Sequence, residues 1–214
     1  MTKIRVLLET TPKKVFASAL DWPGLARSGR DEATALEALA DALPRYAPVA
    51  ALAGESIDVG ADLEVVERVS GDASTAFGVP GVIGEADRAP TAAAEAIRLA
   101  ALVDAAWRTF DAVVAAAPEE LRKGPRGGGR DRSKIVGHVR DAEAAYAQVM
   151  GRKHRPVDEA SVAAMRADLL AVLREPSDGS PIAGKKWPPR YAARRIAWHA
   201  LDHAWETEDR TDPG

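Results

Sequence analysis

Residues 198–206 read Trp-His-Ala-Leu-Asp-His-Ala-Trp-Glu, a helix-like stretch that holds two of the four histidines of the chain. His199 and His203 are four residues apart, a spacing that places both imidazoles on one face of a helix, one turn apart. His138 lies in a second helix-like stretch, and the chain has four histidines in total. Three imidazoles from two helices predict an open metal site, with a coordination position left for water or substrate.

The composition excludes several function classes. The chain has 214 residues, 46% of them hydrophobic, and a formal net charge of −3, so neither nucleic acid nor an anionic membrane surface is an expected partner. Because cysteine is absent, any metal must be held by nitrogen and oxygen. The start of the chain does not match a signal peptide and no apolar run of about 18 residues occurs, so a cytoplasmic location is expected.

The first half of the sequence predicts a small α+β domain over residues 1–80. Asp31 is the predicted N-cap of a helix over residues 32–43, which Pro44 and Pro48 are expected to break. Strand-like runs surround it and give the order β-β-β-α-β. The predicted strands cover residues 3–9, 14–20, 25–27 and 63–69, with turns at Trp22-Pro23-Gly24 and Ser28-Gly29-Arg30.

Residues 71–90 are rich in glycine, alanine, proline and small polar residues, a composition typical of a linker or covering loop. We expect this segment to make few contacts and to mark a domain boundary near residues 75–90. Limited proteolysis should then cut there first.

The second half predicts an antiparallel four-helix bundle over residues 91–210. The predicted helices start after Thr91 as N-cap, at Ser133, after Asp158 as N-cap, and at Pro188 or Pro189. A glycine-rich stretch, residues 124–129, precedes the second of these helices. No clear strand comes before it and no Gly-Lys-Ser/Thr follows, so a loop or lid is favoured over a phosphate-binding loop.

The histidines are expected to point into the bundle. On a helical wheel His199, His203 and Glu206 share a narrow face bracketed by apolar residues, and His138 lies on the shoulder of its own helix's apolar face. The alternative for each histidine is a core or helix-edge residue satisfied by a local hydrogen bond. His154 lies in a basic loop and is interpreted as solvated.

Two acidic residues accompany the histidine pair. Glu206 is the predicted catalytic residue, acting as a general base, an additional ligand, or an acceptor that fixes an imidazole tautomer. Asp202 has the same options but is rotated toward the stripe that contains Trp198 and Trp205. Ordinary solvated helix charges are the alternative for both.

The second half resembles the DinB-like superfamily of metal-binding four-helix bundles. The resemblance rests on His138 followed by His199-x-x-x-His203, and it covers roughly residues 91–210. It implies zinc or nickel held by three imidazoles plus water. For some relatives it implies an external low-molecular-weight thiol (mycothiol, bacillithiol or glutathione) activated for S-transfer, isomerisation or hydrolysis of a small-molecule substrate.

The first half resembles a HicB-type antitoxin domain. The stretch Phe-Ala-Ser-Ala-Leu at residues 16–20 is followed by Trp22-Pro23-Gly24, Ser28-Gly29 and a helix from Asp31. This resemblance implies a β-β-β-α-β fold used for toxin binding or dimerisation. Because helices replace the DNA-binding tail that would normally follow, a scaffold or homodimerisation module is favoured over an antitoxin.

The leading hypothesis from the sequence is a metal-dependent enzyme of thiol-transferase or hydrolase type. Three neutral imidazoles leave the charge of the ion uncancelled, so the pKa of a bound water falls to about 7, or an external thiol binds as thiolate. Two alternatives stay open: a non-catalytic metal-binding or protein-interaction module, and an antitoxin-like regulator.

Overall fold

The computed structural model describes residues 3–123 and 129–211. It confirms the predicted mixed α and β class, with a four-stranded sheet near the N-terminus followed by long helices. Most of the predicted glycine-rich loop, residues 124–128, lies outside the described residues.

The sheet has the strand order β3-β2-β1-β4. β1 pairs with β2 antiparallel and with β4 parallel, and β2 pairs with β3 antiparallel. The central strand β1 is buried on both faces, because Val6, Leu7 and Leu8 are all fully enclosed. The strands cover Lys3–Thr10 (β1), Val15–Ala19 (β2), Ala26–Gly29 (β3) and Asp62–Ser70 (β4).

Two helices, α1 (Glu32–Asp41) and α2 (Leu43–Leu52), form the crossover between β3 and β4. Asp31 caps α1 as predicted, because its carboxylate accepts a hydrogen bond from the Thr34 backbone N–H at 2.9 Å.

The helix predicted over residues 32–43 ends at Asp41, before Pro44, but a second helix begins at Leu43, so the expected break at Pro48 does not occur. Pro44 lies in the first turn of α2, where no backbone donor is needed, and Pro48 lies inside the helix. The buried side chains of Tyr46 and Val49 hold α2 in place despite the hydrogen bond lost at Pro48. The N-terminal order is therefore β-β-β-α-α-β.

The predicted turn at residues 22–24 is where the sheet meets the last helix. Gly24 has a φ of +95°, and a Cβ at this position would lie only 2.6 Å from Leu201 Cδ1. Glycine therefore serves both the turn and the close approach of the helix. The Tyr46 hydroxyl donates to the Pro23 carbonyl at 2.7 Å and fixes the same turn from the other side.

The expectation that residues 71–90 make few contacts is also wrong. The segment contains a short helix, α3 (Ala73–Phe77), and a 3₁₀ turn at Ala86–Arg88. Glu9, buried at the end of β1, accepts hydrogen bonds from the backbone N–H groups of Gly81 at 3.1 Å and Val82 at 3.2 Å. Polar anchors therefore hold this segment together with a few apolar side chains, among them Val79 and Ile83.

Four long helices follow, and among the described residues each of them packs against two others. α4 packs on α6 and α7, and α5 packs on the same two helices. Asp158 caps α6 as predicted, but Ala92 rather than Thr91 is the N-cap of α4, because the Thr91 backbone pairs with Ser177. A regular antiparallel bundle stays a prediction. The helices cover Ala93–Ala116 (α4), Arg132–Val149 (α5), Glu159–Leu173 (α6) and Pro189–Thr211 (α7).

One continuous cluster of buried apolar residues runs from the sheet into the long helices. Helix α7 also faces the sheet with two tryptophans: the Trp198 and Phe16 rings meet edge-on at 6.2 Å, and the Arg27 guanidinium lies 4.0 Å from the Trp205 ring. The division into domains at residues 1–80 and 91–210 stays a prediction. None of the described helices has the length and apolar character needed to cross a membrane.

Candidate metal centre

The three histidines singled out from the sequence come together between α5 and α7. His138 projects from α5, and His199 and His203 project from successive turns of α7. One ring nitrogen from each lies within 4.8 Å of the others. His199 and His203 are buried at 7% and 8% exposure, whereas His138 is half-buried, so solvent reaches the cluster from the α5 side.

The spacing of the His138 and His199 nitrogens fits one small divalent ion. His199 Nε2 and His138 Nε2 are 3.2 Å apart. Two nitrogens that each lie about 2.0–2.1 Å from a tetrahedral zinc are separated by about 3.3–3.4 Å. Without an ion, the same distance fits a hydrogen bond between one protonated and one unprotonated imidazole nitrogen. The ring centroids of His203 lie 4.9 Å from His138 and 4.7 Å from His199.

Glu206 orients one of the three histidines. Its Oε2 lies 2.8 Å from His203 Nδ1, which leaves Nε2 of that ring for the cluster. Its Oε1 accepts a hydrogen bond from Arg210 Nη1 at 3.0 Å. The hydrogen bond with His203 is the main cause that lowers the pKa of the Glu206 carboxyl. A carboxylate that holds the far nitrogen of a ligating histidine is a common partner in metal sites. The catalytic role predicted for Glu206 stays a prediction.

The environment favours the neutral form of two of the imidazoles, His138 and His199. Burial lowers the pKa of His199 to about 2, and the charges of His203 and Arg195 act in the same direction. Burial also lowers the pKa of His138. Neutral imidazoles are the ligands that a divalent ion requires. The Nδ1 atom of His199 is enclosed and has no hydrogen-bond partner among residues 3–123 and 129–211.

Asp202 lies beside the cluster and does not contribute to it. Its carboxyl group makes no hydrogen bond or ion pair with a residue that the structure describes, and it is absent from the converging set. Burial raises its pKa, while the charges of His203 and Arg27 oppose that shift. Arg27 lies 4.0 Å from the Trp205 ring, which agrees with the predicted rotation of Asp202 toward the tryptophan stripe.

The fourth histidine lies elsewhere. His154 Nε2 is 2.8 Å from Asp168 Oδ2, so this ring is paired and partly buried rather than simply solvated. It takes no part in the cluster, as predicted.

Two residues beside the centre were missed as site residues. The Tyr146 ring meets the His199 ring edge-on, with centroids 5.7 Å apart, and the Arg195 guanidinium lies 5.3 Å from the Tyr146 ring. In the sequence Tyr146 belongs to the apolar stripe of its helix and gives no signal of a site. Arg195 precedes His199 by four residues, a helical spacing that places both on neighbouring turns of one face.

Comparison of the chain with protein-family models, with curated proteins and with solved structures found no match. The three histidines therefore carry the functional argument through their geometry alone.

Proposed function

We propose that this chain is a divalent-metal-dependent enzyme whose ion is held by His138, His199 and His203. The observation that carries the proposal is the convergence of three ring nitrogens from two helices within 4.8 Å. Three ligands leave at least one position free for water or substrate, as in catalytic sites. The half-buried position of His138 supplies the access that such a position needs.

Zinc or nickel suits this donor set, because imidazole is a preferred ligand of both and the chain has no thiolate to offer. When bound, the ion supplies a positive charge that favours the deprotonated form of water or of an external thiol. We therefore place the reaction among thiol transfers and hydrolyses, with a small molecule as substrate. A thiol must come from outside, since cysteine is absent.

The protein's own contribution is to orient and protect the site. Glu206 fixes the ring of His203, and Arg210 in turn holds Glu206. Tyr146 and Trp198 place aromatic rings beside His199, with centroids at 5.7 Å and 6.3 Å, and give the site an apolar border. In this proposal Glu206 is a positioning residue, and a direct role in proton transfer is its alternative.

A non-catalytic structural site is the second candidate, and the burial of His199 and His203 favours it. Protein groups fill every coordination position of a structural ion, and the binding of that ion contributes to folding stability. A catalytic ion exchanges a ligand with solvent. The two candidates therefore differ in how the protein responds to a chelator and to small ligands.

The test is metal analysis of protein purified without a histidine tag, followed by calorimetric titration with Zn²⁺ and Ni²⁺. We expect one ion per chain, and an affinity at least about 100-fold weaker in His199→Ala and His138→Ala. His154→Ala is the matched control and should bind like the wild type. A wild-type protein that binds no better than His199→Ala overturns the proposal. Turnover of thiol and ester substrates is then measured with and without a chelator. Turnover that the chelator stops supports the enzyme over the structural site.

A further inference from the structure

Helix α7 carries four arginines, and three of them have a carboxylate partner. Arg190 pairs with Glu95 at 2.6 Å, Arg194 with Asp87 at 2.6 Å, and Arg210 with Glu206 at 3.0 Å. Arg195 forms no ion pair and no hydrogen bond with any residue in the described part of the chain. Its Nη1 atom is enclosed and lacks a partner there.

Arg195 is held beside the candidate metal centre by aromatic rings. Its guanidinium lies 5.3 Å from the centroid of Tyr146 and 4.9 Å from that of Trp198. Both rings also border His199, at 5.7 Å and 6.3 Å between centroids. The side chain is therefore fixed in place one helical turn, about 5.4 Å, before the first ligand of α7.

Arg195 is partly buried, and an enclosed guanidinium nitrogen without an opposing carboxylate is unusual, because buried charges are normally paired. Attraction to two aromatic faces offsets part of the cost of burial and leaves the hydrogen-bonding edge unused. Arg194 lines the same small cavity but is paired with Asp87, and the nearby Asp202 carboxyl forms no ion pair with Arg195 in the described part of the chain. A cavity of about 10 Å³ borders Arg195, Trp198 and Ser18, which is room for about one water molecule. A neutral water leaves the charge unopposed.

We propose that Arg195 binds a carboxylate of the substrate while the reacting end of that substrate lies at the three histidines. The planar fork of a guanidinium matches a carboxylate with two parallel hydrogen bonds, and aromatic stacking fixes the orientation of that fork in advance. This inference rests on the proposed metal site. It names the substrate class as small acids whose carboxylate lies a few bonds from the reacting atom.

The probes are thiols that differ only in their far end. Mercaptoacetate, 3-mercaptopropionate and 4-mercaptobutyrate each have a neutral counterpart of equal length, a mercaptoalcohol. Calorimetric titration of the Zn²⁺-loaded protein with each pair measures how much the carboxylate adds to binding. We expect at least one acid to bind about 10-fold or more tightly than its alcohol, because hydrogen bonds between charged groups are strong.

Three variants test whether Arg195 causes the preference for the acid over the alcohol. Arg195→Gln should abolish it, with metal content and alcohol affinity unchanged, and Arg195→Lys should keep a smaller preference because the charge remains without the fork. Arg190→Gln is the matched control on the same helix and should behave like the wild type. If Arg195→Gln does not fold, the test is the comparison of acid and alcohol affinities in the wild type and in Arg195→Lys.

The outcomes separate the two proposals. A wild type without metal overturns the proposed function and this inference with it. A metal-loaded wild type that binds acid and alcohol equally, or binds neither, overturns the role of Arg195 alone. A preference for the acid that survives in Arg195→Gln also overturns that role.

Discussion

The carboxylate of Glu206 contacts His203 on the side of the ring away from the cluster. Glu206 Oε2 lies 2.8 Å from His203 Nδ1, and the two residues are three apart on the same helix. This contact fixes the ring orientation and keeps the proton on Nδ1, so that Nε2 presents its lone pair to the cluster. Arg210, one turn further along, holds the other oxygen of Glu206. The orientation of His203 is therefore fixed by protein groups of its own helix.

Glu206→Gln should weaken metal binding by about 10–100-fold with little effect on folding. The amide keeps the size of the side chain but loses the negative charge that supports the His203 tautomer. Competition with a chromophoric chelator measures the affinity, and Glu208→Gln on the same helix is the control. Unchanged affinity in Glu206→Gln would show that this contact does not serve the metal.

Removing the metal should leave the protein folded. The buried cluster continues from the sheet through the long helices, so folding does not depend on the ion. A ligand at 1,000 times its dissociation constant stabilises the native state by about 4 kcal/mol, whereas zinc-finger peptides owe about 10 kcal/mol or more to their ion. Thermal unfolding with and without chelator, and of His199→Ala, should therefore show a modest shift. Loss of the cooperative transition on chelation would instead support a structural ion.

The sequence predicted those parts of the fold that depend on local patterns. The caps at Asp31 and Asp158, the strand-like runs and the His199–His203 spacing all act within a few residues, and the structure contains each of them. His138 was predicted to join the pair because it lies on an inward helix shoulder. The meeting of α5 with α7 that this requires depends on long-range packing.

The parts that sequence reasoning missed depend on contacts between distant residues. Residues 71–90 look like a linker because they lack large apolar side chains, yet Asp87 is fully buried against Arg194, 107 residues later. Pro48 signals a break, yet the burial of Tyr46 and Val49 holds its helix together. Neither partner of such a contact carries a local signal.

Breaking the Asp87–Arg194 ion pair should strongly destabilise the protein. Arg194 donates to both carboxylate oxygens, at 2.8 Å and 2.6 Å, and the two side chains are 7% and 0% exposed. Asp87→Asn leaves a buried guanidinium without its counter-charge, which costs about 3–5 kcal/mol. Urea unfolding measures the loss.

Two comparisons test whether the burial of this ion pair causes the loss of stability in Asp87→Asn. The double variant Asp87→Leu/Arg194→Met should recover much of the stability, because no uncompensated charge remains in the core. Glu64→Gln breaks the exposed pair with Lys3 and should have no measurable effect. An Asp87→Asn protein as stable as the Glu64→Gln protein would contradict the structural role of the segment around Asp87.

The last prediction concerns alkaline pH. All three tyrosines of the chain are buried, and burial raises the pKa of Tyr46 and Tyr146 and raises that of Tyr191 to about 12. In the unfolded chain the same groups ionise near pH 10. Because the folded-state pKa values are the higher ones, the contribution to stability is fully present below pH 10 and is lost as pH rises through about 12.

For Tyr191 this loss amounts to about 2–3 kcal/mol, since one pKa unit corresponds to 1.36 kcal/mol. Absorbance at the phenolate band and circular dichroism should therefore change together on alkaline titration, with no separate tyrosine step near pH 10. Tyr191→Phe should lose the hydrogen bond to the Gly81 carbonyl, which costs about 1 kcal/mol at neutral pH, and should flatten the fall in stability above pH 10. A phenolate step near pH 10 in protein that is still folded would show that one of these rings is open to solvent.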